Sequence, residues 1–388
     1  MKPTHISKKT IFRSERYAAI SLAGAAALGL FLANSVAGPG LIELSHSSVG
    51  FPAIGLELSI AHWITDALLA VFFFIIAVEL RHELTVGELS SFNKALAPGI
   101  AALGGVIVPA LFYLALAGPD FARGWPIPTA TDIAFALGLI ALVGRGLPGR
   151  LRVFLLALAV IDDLIAILII AVFFTASIDF IALGMAVIAV YLFRFISCQG
   201  RLNRNVQATL LVVVALFAWY FTYLSGVHAT IAGVALGLVL QPRLAGQAAH
   251  ALQPTTNAVI LPLFAFVSAL VVIPDLAPSE LSPAFWGIAV GLPLGKIVGI
   301  TIAGSIVAAI IHRGEATETI VKGWDVVTVS AVAGIGFTVS LLMNELAFAD
   351  NALIRDEGVL GVLIGSAISI VIGGSLVIWR SRHYRKQR

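Results

Sequence analysis

Hydrophobic residues form long, nearly uninterrupted runs along this chain, and the intervals between the runs are short and polar. A helix needs roughly 20 apolar residues to cross a hydrocarbon core about 30 Å thick. The pattern therefore predicts twelve transmembrane helices, at residues 17–35, 60–80, 95–117, 126–143, 151–176, 179–197, 206–224, 226–241, 255–274, 284–312, 324–346 and 357–379. An even number of spans places both chain ends on the same side of the bilayer.

The composition agrees with this pattern. Hydrophobic residues make up 59% of the 388 residues and charged residues only 12%, whereas a soluble protein carries about 25% charge. The mean hydropathy is +1.01. We therefore expect an all-α polytopic membrane protein, and because no linker divides the chain, a single domain over 1–388. The single Cys198 excludes an internal disulfide and Cys-ligated metal chemistry.

The basic residues predict the orientation. Of the 24 Lys and Arg residues, 21 fall in the terminal tails or at the terminal side of the predicted spans, and the exceptions are Arg123, Arg355 and Lys296. Basic residues concentrate on the cytoplasmic side, so both termini are predicted to be cytoplasmic. A competing interpretation is a secretory signal cleaved near 35–37, but its removal would leave an odd number of spans.

The longest predicted external loop is residues 41–59, with the sequence LIELSHSSVGFPAIGLELS. Short β-type runs alternate there with polar residues and glycine. This alternation predicts a possible external β-hairpin.

Several ionisable residues lie deep within predicted spans. The stretch AVIDDLIA places Asp162 ten residues from Arg152, roughly 15 Å into the bilayer. Asp132 and Lys296 fall at similar depth, and each such charge costs about 2.5–3.5 kcal/mol to insert. Asp162 and Asp163 point about 100° apart on a helix. One can therefore meet Lys296 while the other lines a water-filled cavity. An Asp–Lys pair that only holds two helices together is the alternative for Lys296.

Two spans carry helix-breaking residues at corresponding depths. Span four begins GWPIPTATDIAFALG and contains Pro128 followed by Thr131 and Asp132, while span eleven contains Gly334 and Gly336 within AVAGIGFTVSLL. Broken helices that meet at the midplane are typical of transporters with inverted repeats. We therefore predict that spans 3–5 and 10–12 form two repeats. Asp132 would suit facing helix N-termini and Lys296 facing C-termini. Close helix packing is the alternative reason for the glycines.

Six ordered stretches carry a family resemblance. They are WITDALLAVFFFIIAVELRHEL at 63–84, PTATDIAFALG at 128–138, LALAVIDDLIAI at 156–167, SGVHATIAGVALG at 225–237, LPLFAF at 261–266 and GIGFTVS at 334–340. Over nearly its whole length the chain resembles the NhaA-type bacterial sodium/proton antiporters. The resemblance implies crossed, discontinuous helices four and eleven in a bacterial inner membrane protein.

The resemblance also implies roles for individual residues. Asp163 would be the principal carboxylate for the cation and the proton, and Asp162 would pair with Lys296 or join the binding. Thr131 and Asp132 would lie at the helix-four break. Asp66 would line an access path, and the 41–59 segment resembles a dimerising hairpin. The end of span two is linked to pH activation in the family, so Glu79 and Glu83 are candidate pH sensors.

His228 in the stretch GVHATIAG is a further candidate, because histidine titrates near neutrality. Its alternative is a helix-end histidine that bonds the backbone. The chain departs from the family pattern at Val267-Ser268-Ala269-Leu270, Ile297 and Ile165, and its loop 241–254 contains no acid.

These features predict an electrogenic secondary antiporter that extrudes Na⁺ or Li⁺ in exchange for inward protons. Hard cations prefer oxygen ligands, and a proton competes with the cation for a desolvated carboxylate. We expect alternating access at the midplane carboxylates, a role in pH and sodium homeostasis, no enzymatic activity, no cofactor and no nucleic-acid partner. A sodium-coupled organic-anion symporter is the alternative function. An intramembrane aspartyl protease is disfavoured, because its two carboxylates must converge from separate helices.

Overall fold

The computed structural model describes residues 15–87, 89–175, 178–275, 277–311, 321 and 323–387. Its first half contains α1 (Glu15–Ala33), α2 (Gly38–His46), β1 (Ser48–Phe51), β2 (Leu56–Ser59), α3 (Ile60–Thr85), α4 (Phe92–Ala117), α5 (Ile133–Val143), α6 (Gly149–Phe173) and α7 (Phe180–Ser197). Its second half contains α8 (Arg204–Leu224), α9 (Thr230–Val239), α10 (Pro242–Ser268), α11 (Pro283–Val290 continued by Lys296–Ile311), α12 (Trp324–Ala333), α13 (Phe337–Ala347) and α14 (Ala352–Lys386). Single π-helical turns interrupt α3 at Trp63–Leu68, α10 at Thr256–Ile260 and α11 at Gly291–Gly295.

These elements form an all-α polytopic membrane protein. Within the described ranges, nine helices are long and apolar enough to cross a bilayer, and the bent pair α12–α13 makes a tenth. Two shorter apolar segments, Ile127–Val143 and Thr230–Val239, lie where the fourth and eighth spans are predicted. The twelve predicted spans thus correspond to nine long helices, one bent pair and two shorter segments.

The segment predicted as an external hairpin is part helix and part hairpin. Strands β1 and β2 pair antiparallel, with Ser48 opposite Ser59 and Phe51 opposite Leu56. Residues 41–46 belong instead to α2, which has a proline in its first turn, a position where the fixed proline φ favours a helix start. Trp63 Nε1 donates to the Val49 carbonyl at 2.7 Å and so ties the hairpin to α3.

Both described chain ends lie at the same end of the helix bundle, which we call the terminal end. Arg16 donates to the Ala141 carbonyl at the end of α5, and the Gly146 amide donates to Ser381 Oγ at 2.9 Å. The basic residues before Glu15 and those at 313 and 322 are outside the described residues. The shared end agrees with an even number of crossings.

The bundle surrounds its two broken segments. α4 packs along α11, α3 along α9, and α14 against both α11 and α12. α12 and α13 are buried over nearly their whole length, whereas α7 exposes large apolar side chains such as Ile181. Exposed apolar surface of this kind faces lipid. The packing therefore puts the predicted ionisable residues at the centre of the protein.

Candidate cation and proton site

The two predicted helix interruptions meet at the centre of the bundle. Before α5 the chain makes a short 3₁₀ turn at Ile127–Thr129 and then runs extended, and α12 and α13 are bent by 49° across residues 334–336. The Asp132 amide donates to the Ile335 carbonyl at 2.7 Å. A backbone N–H left without a helical partner at one interruption therefore bonds a carbonyl left without one at the other.

Proline and glycine account for these interruptions. Prolines 126 and 128 lack the N–H groups that a continuing helix would use. A Cβ added at Gly336 would lie 2.2 Å from Ser340 Oγ and 2.6 Å from Leu292 Cδ2, and one at Gly334 would lie 2.8 Å from Ser369 Oγ. Both glycines therefore lie at the break and also permit the close packing that was the alternative interpretation.

Asp132 joins the N-termini of two half-helices. Its Oδ1 accepts from the Phe135 amide at 2.9 Å and so caps α5. Its Oδ2 accepts from the Thr338 amide at 3.1 Å and from the Thr338 hydroxyl at 2.7 Å, in the first turn of α13. A carboxylate between two helix N-termini is stabilised by both dipoles. This arrangement agrees with the position between facing helix N-termini that was predicted for Asp132.

Asp162 forms a fully buried ion pair with Lys296. The two side chains are 0% exposed, and the Lys296 ammonium donates to Asp162 Oδ2. Lys296 is the first residue after the π-helical turn in α11. Thr131 Oγ1 lies 2.6 Å from the same carboxylate oxygen and 2.8 Å from the Ala333 carbonyl. The structure therefore links Asp162, Lys296 and both helix breaks in one hydrogen-bonded cluster.

Asp163 faces another direction, as the helical angle between neighbours requires. It lines a cavity of about 900 Å³ together with Thr131, Asp132 and Thr338. Asp163 Oδ1 and Asp162 Oδ1 are both buried, and neither has a hydrogen-bond partner among the described residues. Buried carboxylate oxygens without partners are costly. Two such atoms on adjacent residues make Asp162 and Asp163 candidate oxygen ligands for a cation.

The oxygen atoms at this centre are of mixed type. Across the described part of the chain, no group of three or more His, Cys, Asp or Glu side chains is arranged to hold a metal ion. A cation at Asp163 would therefore need the Thr131 hydroxyl and open carbonyls in addition to carboxylates. Such oxygen ligands suit a hard cation.

The large cavity leads from the terminal end of the bundle to Asp163. Its wall includes the exposed His82 and Thr85 near the end of α3, and also the candidate pH sensors Glu79 and Glu83. The buried Thr256, in the π-helical turn of α10, lines the same space. The site is thus reached from one side of the protein.

Asp66 and His228 lie together, away from this cavity. His228 Nε2 is 3.5 Å from Asp66 Oδ1, and His228 Nδ1 is 2.7 Å from Thr230 Oγ1. Trp219 Nε1 donates to the Asp66 carbonyl at 3.0 Å. His228 therefore contacts side chains, whereas its alternative interpretation expected backbone bonds. Neither residue is brought to the carboxylate centre.

Two contributors at the break were not among the predicted site residues. Thr338 binds Asp132, and Ser366 Oγ accepts from the Phe337 amide at 3.3 Å. Thr338 follows Gly336 by two residues, and this closeness to the break could have indicated that it belongs to the site. Ser366 lies within an apolar helix near the chain end, and nothing in its local sequence separates it from an ordinary packing serine.

The fold and this centre define a class, namely a polytopic membrane transporter with crossed, interrupted helices and ionisable groups at their crossing. Residues 9–377 match the family described as Na+/H+ antiporter 1. The chain belongs to that family.

Curated relatives agree along nearly the whole chain. The chain is 56% identical to the Na(+)/H(+) antiporter NhaA 2 of Clavibacter michiganensis, over 97% of this chain and 93% of the relative. It is 46% identical to the Na(+)/H(+) antiporter NhaA of Tropheryma whipplei strain Twist, over 98% and 97% of the two chains. With the antiporter of Streptomyces antibioticus it shares 44% identity over 88% of this chain and 72% of the relative.

Proposed function

We propose that this protein is an electrogenic Na⁺/H⁺ antiporter, also active with Li⁺, that extrudes sodium in exchange for inward protons. The observation that carries the proposal is the unequal state of two adjacent carboxylates. Asp162 is paired with Lys296, whereas Asp163 borders the cavity with a buried oxygen that has no partner among the described residues. Family membership and the curated relatives support the same exchange.

Exchange follows from competition for these carboxylates. A proton on Asp163 neutralises it when the site is empty, because a desolvated charge is costly. Na⁺ replaces that proton and takes oxygen ligands from Asp163, the Thr131 hydroxyl and carbonyls freed at the break. When Na⁺ also draws in Asp162, the Lys296 pair opens. The cation and the proton therefore cannot occupy the site together, which couples their movements.

The charge balance decides whether the membrane potential drives the exchange. If a second proton leaves for each Na⁺ bound, from either Lys296 or Asp162, one net charge moves per cycle. That charge is worth about 2.3 kcal/mol per 100 mV. The inward proton force can then drive Na⁺ out of the cell, which serves pH and sodium homeostasis.

Access alternates between the two ends of the bundle. The cavity lined by Glu79 and Glu83 supplies the path from the terminal end, which the basic residues make cytoplasmic in a bacterial inner membrane. Asp66 and His228 belong to the path at the opposite end. Glu79, Glu83 and His228 are the candidate groups for pH sensing. The two glutamates line the cavity that reaches the site, and His228 faces Asp66 at the opposite end.

A homodimer would use the β1–β2 hairpin. All four residues of β1 are exposed, and Val49 and Phe51 add apolar side chains to that surface. An exposed strand edge offers unpaired backbone groups to a second copy.

Proton movement in proteoliposomes with an acidic interior tests this function. Addition of Na⁺ or Li⁺ outside should collapse the pH gradient for the wild type, and Asp163→Asn should abolish the response. Asp350→Asn is the matched control, because that side chain is 91% exposed. The absence of any Na⁺ or Li⁺ response in the wild type would overturn the proposal. The organic-anion symporter is not supported, since the family and the relatives are Na⁺/H⁺ antiporters.

A further inference from the structure

A second buried acid, Asp325, is surrounded by basic and hydroxyl groups at the terminal end. Its side chain is 4% exposed, and its Oδ1 accepts from Arg380 Nε at 2.9 Å and Nη2 at 2.7 Å. Its Oδ2 accepts from the Tyr384 hydroxyl at 2.5 Å and lies 3.5 Å from Arg150 Nη2. We call these four residues the Asp325 cluster. The exchange mechanism above makes no use of it.

The Asp325 cluster connects α6, α12 and α14, and the first two of these helices carry parts of the cation site. Asp325 is in the first turn of α12, Arg150 is in the first turn of α6, and Arg380 and Tyr384 are near the end of α14. α6 carries Asp162 and Asp163. α12 ends at Ala333, whose carbonyl is 2.8 Å from Thr131 Oγ1.

α12 is short enough to transmit an axial shift. It contains 10 residues, so it is a rod of about 15 Å. The backbone hydrogen bonds of α12 resist stretching, and most of its side chains are buried. A displacement of the helix at Asp325 therefore moves Ala333 as well. α14 also holds the adjoining half-helix, because Ser366 Oγ accepts from the first amide of α13 at 3.3 Å. α14 therefore fixes the positions of both α12 and α13, the two halves of the broken span.

The composition of the cluster favours positioning over simple stabilisation. Replacing a buried ion pair by well-packed apolar residues is often neutral or stabilising, so such a pair is weak evidence of stability. The pair does have defined geometry, since Arg donors have fixed directions. Asp325 also lies at a helix N-terminus, where the dipole favours its charge.

We propose that Asp325 is a positioning residue of the antiporter, which sets the axial position of α12 through Arg380 and Tyr384 and so places the Ala333 carbonyl at the cation site. This inference rests on the proposed cation site at the helix crossing. The expected effect of a loosened cluster is weaker cation binding, with the carboxylates themselves intact.

The test is the Na⁺ dependence of exchange in proteoliposomes for Asp325→Asn, Arg380→Lys and Tyr384→Phe. We expect Asp325→Asn to raise the apparent KM for Na⁺ about tenfold, equivalent to about 1.4 kcal/mol. The rate at saturating Na⁺ should stay within about twofold of the wild type, because the reacting groups are unchanged. Tyr384→Phe removes one hydrogen bond and is the mild variant, with a KM rise of about threefold.

Arg123→Gln is the matched control, because the Arg123–Asp350 pair is exposed, with 58% and 91% of the two side chains accessible. Its KM should equal that of the wild type. A purely structural role would lower the thermal unfolding temperature and the amount of active protein while leaving KM unchanged in all three variants, and that outcome would overturn the inference. Failure of the cation site itself is distinguishable, since Asp163→Asn would then retain exchange.

Discussion

Two buried acidic clusters in this protein differ in how completely their oxygen atoms are bonded. At the helix crossing, Asp162 and Asp163 each keep one buried oxygen without a partner among the described residues, although Lys296 lies beside them. At the terminal end, both oxygens of Asp325 are bonded, and Arg380 supplies two of the donors. Both clusters bury carboxylates within the helix bundle, yet only at the helix crossing do these carboxylates keep buried oxygens without a partner among the described residues.

The difference is informative because a buried acceptor without a partner costs more than a bonded one. Under the proposals above, the unbonded oxygens at the crossing accept a cation that binds and leaves. The fully bonded Asp325 cluster would instead position its helices. On these proposals, the bonding of the oxygen atoms distinguishes the two clusters better than the number of charges does.

The largest expected contrast is between Asp163→Asn and Asp325→Asn. The first removes the carboxylate that cation and proton share and should lower Na⁺-driven exchange at least about 100-fold. The second should keep near-normal exchange at saturating Na⁺. Initial rates of proton movement in proteoliposomes measure both. An equal loss of exchange in the two variants would mean that the two clusters do not differ in role.

The next contrast separates the two neighbouring acids by stability. Asp162→Asn leaves the buried Lys296 charge without its partner and should destabilise the protein by about 3–5 kcal/mol. Asp163→Asn breaks no protein hydrogen bond at Oδ1 and should change stability far less. Thermal unfolding in detergent reports both. Adding Lys296→Met to Asp162→Asn should restore much of the stability without restoring exchange. If the double variant is no more stable than Asp162→Asn, the unpaired Lys296 charge is not the cause of the loss.

A smaller effect is expected for Asp132→Ala, which removes caps from two half-helices. Each cap is worth about 0.5–2 kcal/mol, so the total loss should be about 1–4 kcal/mol. Thr338→Val keeps the amide bond to Asp132 and should cost less. Chemical unfolding followed by tryptophan fluorescence measures the series. A variant as stable as the wild type would show that Asp132 does not join the two breaks.

The smallest expected effect is that of a methyl group at Gly336. Gly336→Ala forces a Cβ into contacts of 2.2 and 2.6 Å and should destabilise the protein by about 1–3 kcal/mol. Gly184→Ala in α7 is the matched control, because a Cβ there meets nothing within 4 Å. Thermal unfolding of the pair is the measurement. Equal stability would mean that the crossing can relax around the added methyl.

Much of this arrangement was predictable from local sequence. Pro128 and Gly336 interrupt apolar runs, and helix breaks follow directly from their backbone chemistry. Adjacent acids within an apolar run must point in different directions on a helix. The separate environments of Asp162 and Asp163 were therefore expected from helix geometry, whereas their assignment came only from the family resemblance. Which acid meets Lys296 depends on how α6 and α11 rotate as they pack.

Other contacts between distant segments could not be predicted from the sequence. Asp325 and Arg380 are separated by 55 residues, and no local pattern relates them. Asp66 and His228 meet because α3 and the turn before α9 pack together, which sequence spacing does not encode. α2 was missed because its short run resembles a strand in composition, whereas its first-turn proline favours a helix.

The cavity that reaches Asp163 also determines where the membrane voltage falls. Water filling this cavity of about 900 Å³ would carry the potential of the terminal-side solution inward to the carboxylate. The electric field would then fall mainly across the protein between Asp163 and the opposite end, where Asp66 lies. Low-dielectric walls focus field lines in the same way at charged clefts. A charge that passes from the cavity at Asp163 to the opposite side of this protein layer would therefore cross most of the transmembrane voltage.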